Sequence, residues 1–165
     1  MKMLLLIIIV LINIVSCTRQ EPTQQTKLRI DSLPPFNILL MDTTTRFNTA
    51  KISYGSPIVL FFFGPDCPHC QALTRDIITH VDSLKDIRFF FLSIAGFHDI
   101  KVYDSAFKLN RYNNITVGQD YNNYFFNYYR APGFPFLVIY NGKKMLKQVI
   151  IGAVGLDSIR TVINK

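Results

Sequence analysis

The 165-residue chain lacks the features that define several large functional classes. It has only three cysteines and three histidines, and its net charge of +7 comes from lysines and arginines that are dispersed along the sequence rather than clustered. A nucleic-acid-binding face needs clustered basic residues, so nucleic acid is not an expected partner. The dispersed charge indicates solubility and suits a position beside an anionic membrane surface. No internal repeat is present.

A long apolar run is also missing. Residues 4–15 are apolar except for Asn13, but a membrane-spanning helix needs roughly 20 such residues. With Lys2 in front of it, this stretch is typical of a secretory signal that is removed from the mature protein. We therefore predict a signal peptide over residues 1–16.

The end of the signal has a pattern of its own, Ile14-Val15-Ser16-Cys17. It resembles the lipobox of bacterial lipoproteins, which implies lipidation of Cys17 and a chain tethered to a membrane of the bacterial cell envelope, facing the periplasm or the exterior. The alternative is an ordinary signal peptide with a chance cysteine. The polar residues 17–33 are then the lipidated N-terminus and tether, and residues 34–165 are one domain.

The motif Cys67-Pro68-His69-Cys70 is the most informative feature of the domain. It follows the apolar run 58–63 through a Gly64-Pro65-Asp66 break, and the residues after it have the apolar period of a helix. Strand, tight turn and Cys-x-x-Cys at the start of a helix is the context of dithiol redox chemistry. The first cysteine is expected at the helix N-terminus, where free N–H groups and the helix dipole stabilise a thiolate.

Two other interpretations of the cysteine pair are an inert structural disulfide and a zinc site. Tetrahedral zinc needs two more ligands. The remaining candidates are His69, His80 and His98, of which two are not spaced as a ligand pair. We therefore predict a redox-active pair and expect neither metal nor cofactor.

Periodicity and turn signals predict the remaining elements. They are a hairpin formed by residues 36–41 and 51–54, strands at 58–63, 87–94 and 115–117, helices at 71–84, 99–109 and 121–129, strands at 136–140 and 147–151 joined by Asn141-Gly142, and a last helix at 156–163. A strand–helix–strand crossover implies parallel pairing and a sheet covered on both faces. The predicted fold class is α/β, with three layers and a mixed central sheet.

This pattern resembles the thioredoxin fold, and more narrowly the membrane-tethered TlpA/ResA-like thiol–disulfide oxidoreductases of bacterial envelopes. The resemblance covers residues 36–165. It rests on the redox turn 62–70, on Gly133-Phe134-Pro135-Phe136 before a central strand, and on the Asn141-Gly142-Lys143 ending. Residues 95–134 match the helix–strand–helix insertion of the TlpA-like branch, while the Pro-His dipeptide is the one found in DsbA-type oxidases.

The resemblance implies roles for the site residues. Cys67 is the attacking thiol and Cys70 the more buried resolving thiol. Pro68 fixes the first helical turn, and His69 either stabilises the Cys67 thiolate, making the couple more oxidising, or is a solvated bystander. The Phe134–Pro135 bond is implied to be cis and to expose the Phe134 backbone to a substrate peptide, although an ordinary edge proline is the alternative.

Two positions depart from the family pattern. Asp66 replaces the tryptophan that usually precedes the first cysteine, and the chain has no tryptophan at all. Phe61 occupies the position of a buried carboxylate that helps to deprotonate the resolving thiol, so either another acid such as Asp66, or a water relay, takes this role, or resolution is slow. A peroxiredoxin is a poor fit, because Pro65 lies only two residues before Cys67.

We therefore expect an envelope thiol–disulfide oxidoreductase that acts on protein thiols and disulfides and exchanges electrons with an unidentified redox partner. The alternative is a lipid-tethered binding module with a static disulfide. In that case the aromatic stripe of residues 121–128, otherwise a packing surface, would be the recognition surface.

Overall fold

Apolar runs in the sequence form the centre of a seven-stranded sheet. The structure, a computed structural model, describes residues 31–165. Its strands are β1 Asn37–Leu40, β2 Arg46–Asn48, β3 Ile58–Phe62, β4 Arg88–Ser93, β5 Ile115–Gln119, β6 Phe136–Tyr140 and β7 Leu146–Ile151. The strand order is β2-β1-β5-β4-β3-β6-β7. Strands β3, β4 and β5 pair in parallel, while β6, β7, β1 and β2 add antiparallel pairs, so the sheet is mixed.

Helices cover both faces of this sheet. They are α1 Pro68–Thr79, α2 Phe97–Phe107, α3 Tyr124–Tyr129 and α4 Leu156–Asn164. Apolar residues of α1, α2 and α4 pack on one face around Phe61, and α3 packs on the other face around Phe62. Neighbouring residues of β3 thus point into two different cores, because side chains alternate along a strand. The predicted three-layer α/β fold is confirmed.

The hairpin at the start of the domain closes earlier than predicted. Its second strand is β2, and the predicted strand at residues 51–54 is wrong, since a 3-10 turn occupies Thr49–Lys51 instead. The cause is Asp42, whose carboxylate accepts hydrogen bonds from the backbone N–H groups of Thr44 and Thr45 and so fixes a tight turn directly after β1.

The helix after the redox motif is also shorter than predicted. It begins at Pro68 and ends at Thr79, and a separate 3-10 turn covers Val81–Leu84. The ring of His80 bonds to the Asp76 carbonyl at 2.9 Å, which ties the side chain back onto the last helical turn. Leu84, the last residue of the predicted helix, is nevertheless buried in the core.

The last residues of the predicted tether contact the domain. Leu146 donates its backbone N–H to the Asp31 carbonyl, and Leu33 donates to Lys144. The predicted signal peptide and the lipidation of Cys17 lie outside the described residues. Within residues 31–165, no helix has the length and apolar character needed to cross a membrane.

Candidate functional site

The redox motif lies just beyond the C-terminal end of β3. Gly64, Pro65 and Asp66 turn the chain from the strand into α1, and the Cys67 N–H closes the turn by donating to the Gly64 carbonyl at 3.1 Å. The Gln71 side chain donates to the Pro65 carbonyl at 3.0 Å. Both ends of the turn are therefore fixed before either thiol reacts.

Cys67 is the N-cap residue of α1, in an extended backbone conformation. Its sulfur accepts a hydrogen bond from the Cys70 backbone N–H at 3.2 Å, and Pro68 occupies the first helical turn, where a missing N–H costs nothing. A sulfur in this position accepts a hydrogen bond from one of the N–H groups that have no partner within the helix. It also lies at the positive end of the helix dipole. The arrangement favours negative charge on the Cys67 sulfur.

Cys70 lies one turn further on, in a different environment. It is fully buried in the core on the α1 face of the sheet, whereas Cys67 is half-buried; both are free thiols. Burial raises the pKa of the Cys70 thiol far above its ordinary value, and its hydrogen bond with the Cys67 sulfur acts in the same direction. The two thiols thus differ in access and in the ease with which they ionise.

Tyr103 of α2 touches the first turns of α1. Its hydroxyl donates to the Cys70 backbone carbonyl at 3.2 Å and lies 2.6 Å from the Thr74 hydroxyl. Its ring packs against Phe63 and Phe107, with centroid distances of 4.4 and 4.7 Å. Sequence reasoning missed this contact. The only signal was the spacing of Ile100 and Tyr103, which places both on one face of the helix.

The loop before β6 lies opposite the redox turn. The Phe134–Pro135 peptide bond is cis, as the family resemblance implied, and Pro135 is buried. The Phe134 ring is 39% exposed, packs against Phe62 with a centroid distance of 4.9 Å and lies directly over Gly64.

A cavity of about 300 Å³ separates this loop from the reactive turn. It is lined by Cys67 and Phe134 together with Ile94, which is 38% exposed, and by residues 64–66 of the redox turn. The half-buried thiol therefore opens into a largely apolar recess of the size that accepts a side chain.

The remaining predicted residues occupy separate environments. His69 and Asp66 are exposed beside Cys67, and Asp66 lines the cavity. Phe61 is fully buried and packs edge-on against Phe91 with a centroid distance of 4.9 Å, so the position of the missing carboxylate is filled by aromatic core. His98 lies further out, in an open groove between the redox turn and α2.

Two buried carboxyl groups were not anticipated, Asp104 on α2 and Asp120 after β5. Burial raises the pKa of both. Asp120 accepts backbone hydrogen bonds from Tyr124 and Phe125 at 2.8 and 2.9 Å and so caps the start of α3, while one Asp104 oxygen has no hydrogen-bond partner among residues 31–165. Neither is among the groups that shift the pKa of Cys70. Within residues 31–165, no group of three or more histidine, cysteine or acidic side chains is arranged to hold a metal ion.

Comparisons with known proteins agree with this geometry. Among solved structures, a secreted disulfide oxidoreductase of Mycobacterium tuberculosis homologous to E. coli DsbE superposes with a TM-score of 0.66 at 20% identity, over 84% of this chain and 98% of that one. A thiol:disulfide interchange protein of the thioredoxin family from Chlorobium tepidum gives a TM-score of 0.66 at 15% identity, over 81% and 93%. A reduced 2-Cys peroxiredoxin of Plasmodium vivax gives 0.63 at 13% identity, over 79% and 78%.

At these identities the likeness establishes the fold alone. A search of proteins of curated function gives no match. The sequence profile of the thioredoxin-like domain, however, matches residues 47–165, which is most of the chain and includes the redox turn, the cis-proline loop and the last helix. The prediction of a thioredoxin fold is confirmed, and the chain belongs to the thioredoxin-like domain family.

Proposed function

We propose that the protein is a thiol–disulfide oxidoreductase of the bacterial envelope that exchanges its Cys67–Cys70 dithiol and disulfide with protein substrates. The observation that carries the proposal is the asymmetry of the two thiols. Cys67 caps a helix and opens into a recess, whereas Cys70 is buried beneath it with a raised pKa. A structural disulfide needs no such difference between its two sulfurs, but ordered exchange does.

In the reducing direction the Cys67 thiolate attacks one sulfur of a substrate disulfide. A Cys67–substrate disulfide forms and the other substrate sulfur leaves as a thiolate. Cys70 then loses its proton and attacks the Cys67 sulfur, which releases the second substrate thiolate and leaves the Cys67–Cys70 disulfide. Two electrons pass to the substrate, and the reverse sequence oxidises a substrate dithiol.

The recess beside Cys67 supports a peptide substrate. Phe134 and Ile94 line this recess together with Cys67 and are both partly exposed, so they offer apolar contact to a substrate side chain. The Phe134 backbone, held next to Pro135, is the expected partner for the main chain of an extended peptide.

Reduction of insulin by dithiothreitol tests the activity. The wild-type protein should accelerate it, Cys67→Ser should abolish the acceleration, and Cys70→Ser should accumulate a Cys67–substrate mixed disulfide that is detected by mass. Cys17→Ser is the matched cysteine control and should retain turnover. Wild-type protein that does not accelerate the reaction, with a disulfide that persists in glutathione, would instead favour the tethered binding module.

Location in the envelope rests on the sequence signals and on the fold shared with a secreted oxidoreductase. Lipidation of Cys17 then fixes the domain to a membrane through the tether predicted at residues 17–33. Metabolic labelling with a fatty acid tests this step. Label should be incorporated into wild-type protein and lost in Cys17→Ser, which should also leave the membrane fraction, whereas a variant that keeps the label would refute lipidation at this residue.

A further inference from the structure

We propose that Tyr103 is a positioning residue for the resolving step, which holds Cys70 in line with the Cys67 sulfur through hydrogen bonds to the first two turns of α1. The inference rests on the proposed thiol–disulfide exchange and assigns to the insertion helix α2 a part in it. Its basis is the hydrogen bond from the Tyr103 hydroxyl to the Cys70 carbonyl, which joins residues 33 positions apart in sequence. This bond connects the insertion, residues 95–134, to the redox motif.

The direction of the hydrogen bonds follows from the number of protons. The Tyr103 hydroxyl has one proton and donates it to the Cys70 carbonyl, so the Thr74 hydroxyl is the donor in the 2.6 Å contact with Tyr103. Cys70 and Thr74 are four residues apart and lie on the same face of α1. One hydroxyl of α2 thereby links two successive turns of the redox helix.

The position of this hydroxyl is fixed by packing. Tyr103 is 4% exposed and its ring lies between Phe63, which leads into the redox turn, and Phe107 on its own helix. Burial raises the pKa of Tyr103, and the nearby thiols Cys70 and Cys67 act in the same direction. The phenol therefore stays protonated across the neutral range and acts as a donor, not as a base.

Resolution of a mixed disulfide needs close alignment, because the attacking sulfur must approach along the bond that breaks. Cys70 lies in the first turn of α1, whose backbone N–H groups have no carbonyl partners within the helix, so this turn is held by fewer intrahelical bonds than the middle of the helix. Removing the donor from its carbonyl frees this turn to shift. The attack of Cys67 on substrate precedes that alignment and uses the Cys70 N–H, which Tyr103 does not bind, so it is expected to depend on Tyr103 much less than the resolving step does.

The test uses dithiobis(nitrobenzoate), an aryl disulfide, with fully reduced protein in a Cys17→Ser background, so that Cys67 and Cys70 are the only thiols. Attack by Cys67 releases a first nitrothiophenolate, and attack by Cys70 releases the second together with a proton. Stopped-flow absorbance separates the two phases. Tyr103→Phe should slow the second phase by about three- to tenfold, the loss expected for one neutral hydrogen bond, and should change the first phase much less.

Thr74 provides a second, independent pair of variants. Thr74→Val, which removes the hydroxyl at nearly constant shape, should slow the second phase in the same way, and Thr74→Ser should restore it. An unchanged second phase in Tyr103→Phe, an equal slowing of both phases, or a Thr74→Ser variant as slow as Thr74→Val would overturn the positioning role. Wild-type protein that releases both equivalents but does not turn over insulin would refute the proposed function and leave this assignment intact.

Discussion

Gly64 is the residue of the reactive turn on which the Phe134 ring of the cis-proline loop packs, and its replacement by alanine tests whether this ring shapes the substrate site. A Cβ at Gly64 would lie 2.9 Å from Cδ2 and 3.2 Å from Cε2 of Phe134. Carbon atoms pack best at about 3.5–4.0 Å, so the ring must retreat by at least about 0.6 Å. Gly64 has no positive φ, hence the backbone itself accepts alanine.

The two expected effects differ in size. Overpacking costs about 1–3 kcal/mol of unfolding free energy. We expect the low end, because the Phe134 ring is 39% exposed and can swing outward without disturbing the core. The displaced ring, however, borders the recess beside Cys67, and a shift of this kind in a positioning group should lower kcat/KM for insulin by about tenfold, mainly through KM.

Gly133→Ala is the matched control. Gly133 precedes Phe134 in the same loop, has no positive φ, and an added Cβ there meets nothing within 4 Å. Urea unfolding and insulin-reduction kinetics should show near wild-type behaviour for Gly133→Ala and the kinetic loss for Gly64→Ala. Equal kcat/KM values for Gly64→Ala and wild type, or an equal loss in both variants, would refute the idea that Phe134 forms the wall of the site.

Two further predictions concern charge. Asp104→Asn should raise the unfolding free energy at neutral pH but not below pH 3.8, the ordinary aspartate pKa. The reason is that a carboxyl group whose pKa is raised in the folded state stabilises the protein at low pH, and this stability is lost as pH rises through the folded-state pKa. Urea unfolding across this range measures the effect, and a difference between the two proteins that does not change with pH would contradict it. His69→Ala should move the reduction potential of the Cys67–Cys70 couple to more negative values, by up to about 30 mV. The exposed imidazole ring can stabilise the Cys67 thiolate but not the disulfide, so its removal disfavours the reduced form. Equilibration with glutathione measures the potential, and an unchanged value would make His69 a bystander.

The parts of the fold that the sequence predicted well are those that local chemistry decides. Strand β6 begins and ends where expected, since the proline loop and Asn141-Gly142 delimit it on both sides. Strand β3 and the start of α1 follow from an apolar run and a Pro-containing turn. The position of β2 was missed because a single carboxylate, that of Asp42, decides where the turn after β1 closes. The spacing of apolar residues does not report the position of such a turn.

The parts of the site that could not be predicted depend on contacts between distant elements. The cysteine pair and the cis-proline loop have recognisable motifs, whereas the hydrogen bond from Tyr103 to Cys70 depends on how α2 packs across the sheet. The role of Asp120 likewise depends on the fold, which buries its carboxylate and brings it to the N-terminus of α3, where it accepts backbone hydrogen bonds.

Phe61 is the departure from the family pattern with the clearest kinetic consequence. It packs with Phe63 and Phe91 in the core that also contains Cys70, and no carboxylate is among the groups of the described residues that shift the pKa of that thiol. The helix N-terminus therefore stabilises negative charge on the Cys67 sulfur. Burial, in contrast, disfavours the thiolate form of Cys70. Attack on substrate and resolution should then respond differently to pH.

The raised pKa of Cys70 gives the direction of this difference. Only a small fraction of Cys70 is thiolate at neutral pH, and that fraction grows by about tenfold for each unit of pH until the pKa is reached. The second nitrothiophenolate phase should therefore accelerate steadily from pH 6 to pH 9, at about tenfold per unit, with no plateau. A plateau of the second phase near neutral pH would show that a group not in contact with Cys70 in this structure accepts its proton, and that Phe61 does not limit the resolving step.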